Sequence, residues 1–175
     1  MNRYTMKLAC VSLPGHGSTD AFLARLVVRL EAQSMRLAGT VQSNHERIGR
    51  KKCDMDLRVL PDGPSLRISE DRGDLARGCT LDSGVLEQAV VEVMNRLAGA
   101  EVLIVNKFGK RECEGRGLVP AIAEAVDRDM AVLVGVNGLN MPQLRAFAGD
   151  DLLVLPADLD RVMQWCLLRG FADAS

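Results

Sequence analysis

The feature that most narrows the fold is an alternation. Short uninterrupted apolar runs, Leu8 to Leu13, Val102 to Val105, Ala131 to Val136 and Leu152 to Leu155, are separated by stretches whose apolar residues recur at helical spacing. A strand that is apolar throughout must be covered on both faces, and helical segments between such strands supply the cover. The pattern therefore predicts an α/β fold, βα units around a mostly parallel sheet. The first helical stripe is Phe22, Leu23, Leu26, Val27 and Leu30. The second runs from Val85 to Leu97, with Asp82 or Ser83 as its cap and Gly99 as its stop. Pro120 stands near the start of a third stripe, Gln143 to Ala148 forms a fourth, and Asp158 or Asp160 caps a last one carrying Val162, Met163, Cys166 and Leu167.

The middle of the chain reads differently. Leu37 to Val41 suits a second strand, and the polar run from Ser43 to Lys52 suits a surface loop. Met55, Leu57 and Val59 alternate with Asp56 and Arg58; the turn Pro61-Asp62-Gly63-Pro64 follows, and Leu66 and Ile68 then alternate with Arg67 and Ser69. That is a β-hairpin with one polar face, expected at a sheet edge or as a flap. Glu70 to Cys79 reads as loop. The whole chain, 1–175, is expected to be one domain with a hairpin or flap insert at about 43–80.

Composition excludes several roles. The chain has 22 basic and 23 acidic side chains, a formal charge of -1, so no global field draws it to nucleic acid or an anionic membrane. Aromatics are only 3%, too few for base-stacking platforms. A 47% apolar content fills an aliphatic core, and no apolar run approaches the roughly 18 residues of a spanning helix. The N-terminal apolar stretch is short, and the five cysteines are odd in number and widely spaced with no CxxC pair. Free thiols, a reducing cytoplasm and no export are the expectation.

In open α/β sheets ligands bind outside the carboxyl ends of the strands, which directs attention to the loops after Leu13, Val105 and Val136. The phosphate-cradling pattern G-x-x-x-x-G-K-[ST] aligns with Ser12, Gly17, Ser18 and Thr19, with Pro14, Gly15 and His16 between. The strand-loop-helix context matches, but Ser18 stands where the lysine would be. Gly15 and Gly17 allow backbone N–H groups to turn inward, and the following helix adds a partial positive charge. The same residues also suit an ordinary glycine-rich turn capped by Thr19 or Asp20, and the pattern alone leaves both open.

At the end of the Val102 to Val105 strand, a P-loop protein carries an Asp that holds Mg²⁺, often followed by a Glu. Asn106 and Lys107 stand there instead. Relative to Lys, Asp and Glu, the trio Ser18, Asn106 and Lys107 moves the site by about two charges toward positive. Hard cations want carboxylate oxygens, whereas such a site suits a bare oxyanion or phosphate. Lys107 or Lys110 can deliver the ammonium that Ser18 lacks; as solvated loop residues they would do nothing.

Further candidates are weaker in pattern. Cys53, Cys79 and Cys113 with His16 or His45 match no zinc spacing. Arg47, Arg50, Lys51 and Lys52, with Arg67, Arg72 and Arg77 beyond, form either a flap over the anion or a solvated face. Glu112 and Glu114 suit a base, a metal ligand or local ion-pair partners, and Asp54 and Asp56 share a strand face that can be exposed or metal-binding.

The runs CDMDLRVLPDGPSLRIS, RGCTLDSGVLEQAV, IVNKFGKRECEGRG and VLVGVN together resemble an uncharacterised bacterial family of P-loop-NTPase-like proteins, a domain of unknown function often met near molybdate-uptake genes. More distantly, PGHGSTD and NKFGKRE resemble the PGVGKTT and DEIGKME motifs of the THEP-type nucleoside-triphosphatases. The resemblance implies a three-layer P-loop fold and an ancestral nucleotide site. It does not imply retained hydrolysis, because Ser18, Asn106 and Lys107 replace the residues that carry it.

The expected function is a binding or regulatory protein that holds an oxyanion or a nucleotide's phosphates at Gly15, His16, Gly17, Ser18, Thr19, Asn106, Lys107 and Lys110, with little or no hydrolysis and no Mg-dependent site. The alternatives are a divergent nucleoside-triphosphatase or phosphotransferase, and a degenerate scaffold working through a protein partner. The expected partner is a small anion, with homo-oligomerisation open and neither nucleic acid nor membrane involved.

Overall fold

Every residue of the three central apolar runs is buried, as cover on both faces requires: β1 (Leu8–Val11), β7 (Val102–Val105) and β8 (Ala131–Gly135). The computed structural model describes residues 7–46, 53–70 and 80–169. Between β1 and β7 it contains α1 (Ser18–Ala32), β2 (Leu37–Glu46), β3 (Cys53–Leu60), β4 (Ser65–Arg67), β5 (Ser69–Glu70), β6 (Thr80–Leu81) and α2 (Ser83–Asn95). Beyond β7 come α3 (Lys110–Cys113) and α4 (Val119–Asp127), and after β8 follow α5 (Met141–Ala148), β9 (Leu152–Val154) and α6 (Leu159–Leu167).

The main sheet has seven strands in the order β4-β3-β2-β7-β8-β1-β9. The five from β2 to β9 pair in parallel, and β3 and β4 extend the sheet antiparallel at one edge. Period-two alternation divides each central strand between two cores. Ala9 and Val11 meet Leu23, Leu26, Leu30 and Trp165 on the α1 and α6 side. Leu8 and Cys10 belong to the opposite core with Ala89, Val93, Ile122 and Ala125, from α2 and α4. The result is the expected three-layer α/β fold.

The caps read from sequence are present. The Asp82 carboxylate accepts from the N–H groups of Gly84 and Val85 at 3.0 and 3.2 Å, and Asp158 accepts from Arg161 N–H at 3.1 Å. No helix among the described residues is long and apolar enough to cross a membrane.

The expected loop from Ser43 onward is corrected at its start, because β2 continues to Glu46. Only Leu37 to Gly39 pair with β7, while β3 accompanies β2 in register from Gly39↔Leu60 to Glu46↔Cys53. Beyond β7 the ribbon needs no apolar cover on both faces, so a polar sequence is compatible with strand. The hairpin lies at the sheet edge. Residues 47–52 and 71–79 lie outside the described residues, and with them Arg47, Arg50, Lys51, Lys52, Arg72, Arg77 and the expected loop to Cys79.

The chain departs from β1 toward β2 and from β8 past β1 to β9, so the loops after β1, β7 and β8 meet at the carboxyl edge, where the winding reverses. Hydrogen bonds lock them together. Phe108 N–H donates to the Gly135 carbonyl at 2.7 Å, and Val136 N–H donates to the Val11 carbonyl at 3.1 Å. Gly135 is required by this convergence: a Cβ there would stand 2.3 Å from the Asn106 carbonyl oxygen and 3.1 Å from Thr19 Cγ2.

Candidate functional site

The loop from Leu13 to Gly17 joins β1 to α1. Gly17 occupies the N-cap of α1 with φ 75°, a left-handed conformation that favours glycine, and no side chain caps the helix. Thr19, expected as a cap in the ordinary-turn reading, accepts instead from Leu13 N–H at 3.1 Å and pins the loop onto the first helical turn. The N–H groups of Gly15, His16 and Gly17 have no acceptor among the described residues. With the unpaired donors inherent to a helix start, they form a patch of partial positive charge.

That patch opens onto a cavity of about 250 Å³. Gly15, His16, Gly17, Thr19, Asn106 and Lys107 line it, together with Asp20, Gln42, Asn44 and Asn137. Six of the eight expected site residues therefore share one cavity. Ser18 does not line it; its hydroxyl lies back over Gly15, where an added Cβ would stand 2.8 Å from Ser18 Oγ. Lys110 lines a neighbouring cavity, which Lys107 also borders. Both lysines are exposed, and neither forms an ion pair among the described residues.

The residue that sequence reading missed is Asp20. Asn106, only 3% exposed, donates from Nδ2 to Asp20 Oδ1 at 2.8 Å and accepts at Oδ1 from Gln42 N–H at 2.9 Å. Asn44 donates to Asp20 Oδ2 at 3.0 Å, and Gln42 Nε2 donates to Asn44 Oδ1 at 2.9 Å. Two amides thus hold a carboxylate in the first turn of α1, where a negative charge complements the helix dipole. The expected excess of positive charge is corrected accordingly, since the carboxylate of Asp20 offsets the ammonium of Lys107 inside the same cavity. The available signal was an acid three residues past Gly17 in a helix start facing strand ends, a position that also suits a simple cap.

The fold family implies Mg²⁺ here, and the residue at the end of β7, Asn106, does not fit the role of its carboxylate ligand. Asn106 offers no carboxylate and its amide is committed at both ends. Asp20, the one carboxylate among the described residues lining the cavity, accepts one amide hydrogen bond at each oxygen. Among the described residues no group of three or more His, Cys, Asp or Glu side chains is placed to hold a metal.

The other candidates have local partners. Among the described residues Glu112 forms no ion pair, and both its oxygens are engaged: Oε2 accepts from Gly109 N–H at 3.1 Å and Oε1 from Leu118 N–H at 3.3 Å, which closes the loop around α3. Glu114 is exposed at the end of α3. Arg67 bridges Asp54 and Asp56 across the β3–β4 ribbon, so these three serve each other. Cys113 is exposed and free, whereas Cys79 and the side chains of Cys53 and His45 lie outside the described residues. Cys10 and Cys166 are buried; burial raises both thiols, Cys166 to about 12, and Arg145 partly counters the shift at Cys10.

A protein family described as "Protein of unknown function (DUF2478)" matches residues 8–165. The Molybdenum import ATP-binding protein ModC 2 of Bradyrhizobium diazoefficiens is 29% identical over 131 residues, which cover 74% of this chain and 15% of that protein. The chain thus spans well under a fifth of this curated relative. Two solved structures are similar throughout. THEP1 from Aquifex aeolicus has a TM-score of 0.60 and 13% identity, covering 90% of this chain and 94% of its own. A human cancer-related nucleoside triphosphatase has a TM-score of 0.59 and 14% identity, covering 91% and 93%. At this identity the likeness shows the fold, that of P-loop nucleoside triphosphatases.

Proposed function

From the premise that the chain belongs to the DUF2478 family, we propose that it binds a small oxyanion or the phosphates of a nucleotide in the cavity between β1 and α1. Binding needs no magnesium, and hydrolysis is slow or absent. One observation carries this reading. The glycine loop keeps its donors and its cavity, while the position that would supply a metal-holding carboxylate is Asn106, consumed by Asp20 and Gln42. Such a site can bind negative oxygens through backbone N–H groups, but it lacks the strand-end carboxylate that aligns a metal-bridged phosphate for attack. The name of the ModC 2 relative adds molybdate to the oxyanions worth testing.

Lys107 supports a second reading. Its position on the cavity wall suits it to replace the missing loop lysine in a divergent triphosphatase or phosphotransferase.

Thermal shift with ATP, GTP, phosphate and molybdate, each with and without Mg²⁺, separates the readings. A ligand at one hundred times its Kd adds about 2.7 kcal/mol of stability. The binding reading predicts stabilisation by at least one anion in the absence of metal. Metal-dependent stabilisation with phosphate release would establish the enzyme instead. No shift with any anion, alongside a stable protein partner, would favour the degenerate scaffold.

A further inference from the structure

We infer a second ligand site beside the first: the cavity of about 300 Å³ between β3, α2 and the loop after β7 takes a small organic anion. The anion's apolar body lies against Met55, Leu57, Ile68, Leu86 and Ala89, and its carboxylate or phosphate lies at Lys110 and Arg111. This site does not depend on the phosphate reading of the β1–α1 loop.

Charge and polarity select this class of ligand. Among the described residues, three cations, Lys107, Lys110 and Arg111, line the cavity against one carboxylate, Glu112. Both Glu112 oxygens are taken by backbone N–H groups of Gly109 and Leu118, so Glu112 satisfies none of the cations. Arg111 pairs with Glu87 through one terminal nitrogen, yet its Nε is buried with no acceptor among the described residues. A buried donor without an acceptor is costly, and an anionic oxygen would satisfy it. A bare inorganic anion would leave the apolar wall wetted, whereas a neutral apolar molecule would leave the cations unmatched. An anion with an apolar body meets both demands. Because Lys107, Asn106 and Asn137 border both cavities, the two ligands would be neighbours.

The test is calorimetric titration of the full chain with methyl, butyl and hexyl phosphate, with inorganic phosphate, hexanol and hexanoate as controls. Affinity should rise by up to about fourfold per added methylene, and hexyl phosphate should bind far more tightly than hexanol. Lys110→Gln, an exposed substitution, should weaken hexyl phosphate by about tenfold, and Leu86→Trp should block it by filling the cavity. Gly17→Val, which disables the β1–α1 loop, should leave hexyl phosphate affinity unchanged. Hexanoate binding as tight as hexyl phosphate assigns a carboxylate head group to the site; weaker binding assigns a phosphate. Affinity independent of chain length, or unaltered in Lys110→Gln, would overturn the proposal. So would loss of hexyl phosphate binding in Gly17→Val, which would place the probe in the first cavity.

Discussion

Asp20, in the first turn of α1, and Asn106, at the end of β7, lie 86 residues apart in the chain and are joined by a 2.8 Å hydrogen bond from amide to carboxylate. The bond fixes in place the carboxylate that offsets Lys107 in the cavity. Asp20→Asn removes a negative charge that competes with any incoming anion at the helix start. Charge effects at a helix N-terminus are worth about 0.3 to 2 kcal/mol, so inorganic phosphate should bind about two- to thirtyfold more tightly. Titration without metal checks this, and an unchanged or weaker affinity would contradict the role assigned to Asp20.

Asn106→Asp sets two carboxylates at hydrogen-bond distance. Like charges so close destabilise the ionised pair, and the lost amide donor leaves Asp20 with one fewer partner. The variant should lose about 2 kcal/mol of stability in chemical denaturation at neutral pH. It should also acquire what the native cavity lacks among its described residues, a pair of carboxylates for a divalent cation. Millimolar Mn²⁺ should then raise Tm of the variant and leave the native protein unchanged; an equal response in both would count against this view of the site.

Gly17→Val tests the loop itself. At φ 75° a β-branched residue is strained by about 1 to 2 kcal/mol, and its Cβ would stand 3.4 Å from Asn44 Nδ2, beside the amide that holds Asp20. The variant should fold with reduced stability and show no thermal shift with inorganic phosphate or molybdate. A full response to inorganic phosphate in a folded Gly17→Val protein would show that the donors of this loop are not used.

The acid limb of stability should depend on Glu101. Its carboxylate accepts from Arg36 N–H at 2.9 Å, and this bond holds its pKa below the ordinary carboxylate range, against a smaller opposing effect of burial; the ion pair with Arg169 lowers it further. A group whose pKa is depressed on folding stabilises the protein above its unfolded pKa, and that contribution is lost as pH falls through the folded value. Glu101→Gln should therefore cost about 1 kcal/mol at neutral pH and nothing once the native carboxyl is protonated. Denaturation curves from neutral to acid pH should converge for the two proteins; a constant gap would refute the assignment.

What the sequence made legible follows from how locally each feature is determined. Strands β1, β7 and β8 announce themselves because they are covered on both faces, and Asp82 and Asp158 because a cap acts within its own helix. The end of β2 was hidden because strand identity there comes from pairing with β3, not from hydrophobicity. The glycine loop and Asn106 were readable from motif context, but the use of Asn106 was not. Its partners, Asp20 and Gln42, come from α1 and β2, and only the fold brings them together. Ser18 and Lys110 sit in the right segments and face elsewhere, a distinction that depends on the phase of one helical turn.

The most direct measurement is calorimetric titration of ADP and inorganic phosphate into the native protein in excess EDTA, repeated with Mg²⁺. Anion binding by backbone donors predicts saturable binding in EDTA and a Kd for inorganic phosphate that magnesium leaves within about twofold. Heat of binding that appears only when magnesium is supplied would contradict that account.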